Sequence, residues 1–194
     1  MDEILNISVT KYHPLQDIDF SKIDSKVILD KRENKKIKLL SYNIFLRPPP
    51  VKNNENDWKD ERLYDFLLEL KDFDIVWLQE MFGTLSTRRQ LLIKIASKLG
   101  FFFFFEIPPP SFFSKNIIDG GLLILSRFPV VDTEFRPYTY AILDCVWGQK
   151  GCLFVKIRIK DSNLVIINTH LQASYFGTSQ EDWVFINFLI IHFF

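Results

Sequence analysis

"DIVWLQE", residues 74–80, decides the fold: an apolar run that ends on Gln79 and Glu80 and lies between two helical patterns. Upstream, "DWKDERLYDFLLELKDF" (57–73) sets Leu63, Phe66, Leu67 and Leu70 on one helical face, with Asp57 or Asp60 as the expected cap. Before it, "IKLLSYNIF" (37–45) is apolar and β-rich, and "LRPPPVKNNEND" (46–57) breaks it with prolines and turn formers. Downstream, "STRRQLLIKIASKLG" (86–100) places Leu91, Leu92, Ile95 and Leu99 on one face and stops at Gly100. The phenylalanine run at 101–105 then reads as a buried strand. Strand, helix, strand, helix, strand is an α/β order.

The second half is richer in strands. "EIPPPSFFSKN" (106–116) is a proline-broken loop, and "GGLLILSRFPV" (120–130) returns to a buried strand closed by a turn. "KGCLFVKIRI" (150–159), a turn at "KDSN" (160–163) and "LVIINTH" (164–170) together predict a hairpin.

Composition narrows the function classes. The 194 residues suffice for one domain with a hydrophobic core. Lys+Arg and Asp+Glu both number 24, so no global basic field points to nucleic acid, and phosphate recognition must be local. Cys145 and Cys152 lack the four-ligand pattern of a structural zinc site; their spacing allows a short disulfide, and reduced thiols are the expectation for a cytosolic protein. The start, "MDEILNISVT", has no secretory pattern, and "WVFINFLIIHFF" (183–194) is too short to span a bilayer. A cytoplasmic chain is the expectation.

Three apolar runs each deliver a polar side chain at their edge: "LLSYN" ends on Asn43, "IVWLQE" on Glu80 and "LVIINTH" on His170. If these strands lie side by side in one sheet, the three groups converge. Taken singly, Asn43 caps a turn or helps a ligand, Glu80 is a solvated strand end or a ligand, and His170 is hydrogen-bonded scaffold. Together they suit a hard divalent ion such as Mg²⁺, which takes oxygen ligands and keeps water and phosphate in its remaining positions. Glu80 offers a carboxylate, Asn43 a neutral oxygen, and His170 a donor to phosphoryl oxygens or a proton carrier. Such a set serves phosphate ester hydrolysis.

"SYNIFLRPP", "VWLQE", "GGLLILSRFPV" and "NTHLQA" occur in an order that resembles the endonuclease/exonuclease/phosphatase superfamily, with its DNase I-like fold. Within it, "RPPP", "KG" with "VKI" at 150–157, and "THLQAS" are most similar to the neutral sphingomyelinases. The resemblance covers roughly residues 37 to 182. It implies a partial four-layer α/β/β/α sandwich, Mg²⁺ as cofactor, and hydrolysis of sphingomyelin to ceramide and phosphocholine. It also implies a phospholipid substrate at a membrane surface, no nucleic-acid partner, and peripheral association of a cytoplasmic protein with membranes.

Position by position, the resemblance makes Glu80 the metal ligand, Asn43 its neighbour at metal and phosphate, and His170 the group that stabilises charge on the scissile phosphate. Arg127, in "SRFP", falls at a position read as structural first. Lys150 is a substrate-binding candidate or a solvated loop lysine. The domains implied are an N-terminal extension (1–36), the N-terminal portion of the family domain (37–182) and an atypical apolar tail (183–194).

Two family elements have no counterpart, an Asp-x-Asn motif and a Ser-Asp-His motif that carries the general base. "DSN" (161–163) matches the first only as letters in a hairpin turn, and His192 follows Ile191 within the apolar tail. A truncated gene model or an unspliced intron would account for both departures, and would leave this chain inactive and the second sheet short of its normal cover. The alternatives are another phosphoesterase of the superfamily, a nuclease or an inositol-phosphate phosphatase, and a non-catalytic fragment that binds a partner.

Overall fold

Two sheets lie face to face, with helices on the outer side of the first. The structure, a computed structural model, describes residues 36–51, 57–107, 110, 116–138 and 148–171. The tail at 183–194, His192 and Cys145 lie outside the described residues. The elements run β1 (Leu39–Leu46), α1 (Lys59–Leu70), β2 (Ile75–Met81), α2 (Arg88–Lys98), β3 (Phe103–Glu106), β4 (Leu123–Ser126), β5 (Val130–Pro137), β6 (Gly151–Ile159) and β7 (Ser162–Thr169). The first sheet has the order β1-β2-β4-β3 and the second β5-β6-β7.

β1 and β2 are parallel, so the chain needs a crossover between them, and α1 supplies it. β4 returns antiparallel to β2 and takes β3 on its other side. β2 and β4 occupy the middle of the sheet and are covered on both faces, which is why each reads as an unbroken apolar run. Alternate residues divide two cores between them. Val76, Leu78, Leu123 and Leu125 pack toward Leu63, Phe66, Leu67, Leu70, Leu92 and Ile95 of the helices. Ile75 and Ile124 face Leu153, Val155, Ile157 and Ile166 of the second sheet. An α/β/β arrangement is thus on the described residues, three of the four layers expected.

The helix faces are as the spacing predicts. Leu63, Phe66, Leu67 and Leu70 are all buried. In α2 the buried positions are Arg89, Leu92, Ile95 and Ala96, with Leu91 and Leu99 packed partly against the same core. Gly100 ends that helix at φ 90°, a left-handed conformation suited to glycine. The expected aspartate caps are not formed. Trp58 takes the N-cap position of α1 in a left-handed conformation, without a side-chain cap. Asp57 instead pairs with Lys59 Nζ at 2.8 Å, and Asp60 with Arg88 Nε at 2.6 Å, so each carboxylate answers a cation in preference to helix amides.

The phenylalanine run is less buried than expected. Phe101 is fully enclosed, but Phe102 and Phe104 are exposed, because β3 is the outermost strand beside β4. The hairpin falls where "KDSN" places it: β6 and β7 pair from Cys152↔Thr169 to Ile159↔Ser162, and Lys160 turns at φ 54°. Among the described residues β1 and β7 each have one unpaired edge, and Val131, Val165 and Ile167 lie exposed on the second sheet.

Candidate active site

β2 runs apolar until Gln79 and then turns its last polar residue aside. Glu80 has φ 55°, the left-handed region that a non-glycine residue adopts only when its surroundings hold it there. Gly121, itself at φ 66°, makes room: its carbonyl accepts the Met81 N–H at 2.8 Å, and a Cβ there would stand 3.1 Å from Glu80 Cα. The Glu80 carboxylate is 6% exposed and faces the end of β1.

There Asn43 Nδ2 donates to Glu80 Oε1 at 2.9 Å, while its own Oδ1 accepts the Phe45 N–H at 3.0 Å. These two contacts fix the amide's orientation, since a flip would set oxygen against oxygen and N–H against N–H. Phe45 lies at φ 60°, and Arg62 of α1 pins the kink by donating to the Ile44 and Phe45 carbonyls at 2.8 and 2.9 Å. Asn43 therefore bears on the site through its NH₂ group. The neutral oxygen expected as a metal ligand is turned to the backbone.

His170 arrives from the other sheet. Nε2 lies 3.5 Å from Glu80 Oε1. Asn43, Glu80 and His170 thus converge, but not within one sheet: β1 and β2 are neighbours, and β7 belongs to the second sheet. The sheets are tied together two residues earlier. Asn168, 1% exposed, donates to the Leu78 carbonyl at 2.9 Å and accepts from Gln79 Nε2 at 2.7 Å. Sequence inspection missed this pair because its partners lie far apart in the chain.

Burial and the nearby charge of Lys150 pull the His170 imidazole below its usual pKa, with Glu80 opposing. The neutral form of the ring is favoured accordingly. Lys150 reaches the same corner, where Nζ donates to the Leu171 carbonyl at 3.0 Å, just past His170. Arg127 is placed elsewhere, beyond the far end of β4. It donates to the carbonyls of Phe73, Lys71 and Leu99 and lies over the Phe101 ring, 4.4 Å from its centroid.

Two atoms of the site stand out. Among the described residues Glu80 Oε2 and His170 Nδ1 are buried without a hydrogen-bond partner. An unpartnered buried carboxylate oxygen is costly unless a cation or donor completes it. No group of three or more His, Cys, Asp or Glu gathers among the described residues, so an ion here would lean on one carboxylate. That donor set fits Mg²⁺, which commonly keeps several waters, better than Zn²⁺, which wants three or four protein ligands.

No protein-family model matches the chain. A Dictyostelium discoideum protein, Sphingomyelinase DDB_G0288017, is 27% identical over a match covering 73% of this chain and 52% of the relative. Sphingomyelinase C from Streptomyces griseocarneus is similar in structure, with a TM-score of 0.63 at 21% identity, over 76% of this chain and 53% of that one. A beta toxin from Staphylococcus aureus, the F277A, P278A mutant with bound magnesium ions, aligns with a TM-score of 0.52 at 18% identity, over 76% of this chain and 55% of that one. The chain spans about half the length of each. The solved structures it resembles give it a DNase I-like fold, and the curated relative similar to it in sequence is a sphingomyelinase.

Proposed function

We propose that residues 37–182 carry the metal- and phosphate-binding portion of a Mg²⁺-dependent sphingomyelin phosphodiesterase, working in the cytoplasm at membrane surfaces. The observation that carries this reading is the buried Glu80 carboxylate, whose Oε1 meets Asn43 and His170 while Oε2 has no partner among the described residues. Glu80 would hold the ion. When bound, Mg²⁺ neutralises charge on the phosphodiester and favours attack by water. Asn43 steadies the carboxylate by donating to Oε1, and Oε2 remains without a partner among the described residues.

His170 presents an N–H to a phosphoryl oxygen and stabilises the charge that grows there. Lys150 adds positive potential from the rim and suits the anionic phosphate. The leaving group is the ceramide alkoxide, and the water proton needs a base. Among these 194 residues no Ser-Asp-His element supplies that base.

Phosphocholine release from sphingomyelin vesicles tests the reading, with phosphatidylcholine, an inositol phosphate and DNA as competing substrates. Mg²⁺-dependent release from sphingomyelin, lost in Glu80→Ala, is the expected result. Turnover of DNA or inositol phosphate in its place would assign the chain to another branch of the superfamily. Failure to bind either Mg²⁺ or phosphocholine would leave a non-catalytic fragment.

A further inference from the structure

Two loops meet on one buried carboxylate outside the trio. Asp119 is 1% exposed. Its Oδ2 accepts from the N–H groups of Gly83 and Thr84 at 3.0 and 2.8 Å and from the Thr84 hydroxyl at 2.7 Å. Its Oδ1 accepts from the Gly121 N–H and from Arg89 Nη1, both at 2.9 Å. The Thr84 hydroxyl closes the circuit by accepting the Asp119 N–H at 3.0 Å. Arg89 is buried with it and stands 2.7 Å from Glu106. Gly83 permits this, because a Cβ there would fall 2.1 Å from the Arg89 guanidinium.

Each loop leads to a wall of the candidate site. Gly83 and Thr84 follow closely on Glu80, and the Gly121 carbonyl holds the Met81 N–H. On the other side the Ile118 carbonyl accepts the Gln149 N–H at 2.9 Å, and a Cβ on Gly120 would come within 2.2 Å of the Gln149 carbonyl oxygen. Gln149 immediately precedes Lys150. The loop centred on Asp119 is therefore wedged between the backbone that aims Glu80 and the backbone that carries Lys150.

We propose that Asp119 is a positioning residue for the metal site, acting through Thr84 and Gly121 to hold Glu80 in its left-handed conformation, with its carboxylate against Asn43 and His170. Asn43 and His170 both meet the Glu80 carboxylate at Oε1, and the main chain that carries it is held by the Asp119 loop through Gly121 and Thr84. The proposal rests on Glu80 being the metal anchor, and its test separates the two.

Mn²⁺ serves as the probe, its binding to the full chain followed by electron paramagnetic resonance, with thermal melts run in parallel. Thr84→Val removes the hydroxyl at almost constant shape and is expected to weaken Mn²⁺ binding about tenfold, as loss of a group supporting a metal ligand commonly does. Loss of the two hydroxyl hydrogen bonds should also lower its melting temperature by a few degrees, whereas Thr84→Ser, which keeps the hydroxyl, should bind and melt as the parent does. Asp119→Asn, which turns an NH₂ toward existing donors, should weaken binding further; if it does not fold, the Thr84 pair decides.

Loss of binding in Glu80→Gln with parental binding in Thr84→Val would overturn the positioning role alone. Equal weakening in Thr84→Val and Thr84→Ser, in step with lower melting temperatures, would overturn it too, by reducing Asp119 to general scaffold. Unchanged Mn²⁺ binding in Glu80→Gln would overturn the metal reading and the positioning role together.

Discussion

The two ends of the β2–β4 pair both bury charge, and they treat it in opposite ways. At the Ile75↔Ser126 end Arg127 donates to three carbonyls, lies over Phe101 and stands 3.8 Å from Asp74. Asp74 in turn accepts the Lys38 N–H at 2.9 Å. At the Leu78↔Leu123 end Glu80 accepts from Asn43 and keeps a buried oxygen without a partner among the described residues. Saturated polar groups hold a fold together, whereas an unsatisfied one held in place stores capacity for a ligand. One strand pair thus carries scaffold at one end and candidate chemistry at the other.

The contrast is open to breakage from either end. Arg127→Met should be the most damaging change, lowering unfolding stability by about 3 kcal/mol through the orphaned carbonyls and the loss of the guanidinium beside the buried carboxylate of Asp74; urea denaturation measures it, and a loss near zero would remove the scaffold role. Asn168→Ala, in the tie between the sheets, should cost about 2 kcal/mol in the same assay, since it removes a donor to the Leu78 carbonyl and the acceptor of the Gln79 amide. Glu80→Gln in the presence of a chelator should go the other way, with a gain of about 1 kcal/mol, because a buried charge without a counter-ion is removed. A loss there would make Glu80 one more scaffold residue.

The smallest effect concerns pH. Burial and Lys150 lower the His170 pKa in the folded chain, so below about 6.5 the unfolded chain binds the proton first. Stability should fall as pH drops through that range, and level off below the folded pKa. Urea midpoints at two pH values, metal-free, should show this for the parent and not for His170→Asn; identical behaviour would mean that the imidazole titrates normally.

How far the sequence anticipates these two ends follows from the reach of the interactions. Helix faces, the Gly100 stop and the hairpin turn depend on neighbours a few residues away, and periodicity reveals them. Glu80, Asn43 and His170 stand out because each is a polar residue closing an apolar run, but their assembly across two sheets does not follow from local pattern. Asp119, Arg89 and Asn168 were passed over for a related reason. An aspartate before two glycines reads as a turn, an arginine in an amphipathic helix reads as surface, and an asparagine near a strand end reads as a cap. Only long-range pairing gives them their work. The missing caps on α1 show competition of the same kind, in which Lys59 and Arg88 draw Asp57 and Asp60 away from the helix amides.

The Asn168–Gln79 tie has a mechanical consequence. Sheets packed through Leu, Ile and Val can slide by fractions of a side chain at small cost, because apolar contact is not directional. A hydrogen bond of 2.7 Å between amide side chains does not tolerate such slippage. Gln79 and Asn168 lie one and two residues from Glu80 and His170, so the tie works as a dowel pin through two plates. The gap between the carboxylate and the imidazole is gauged by that pin, and a repacked apolar core could change volume on either side while the aperture kept its width.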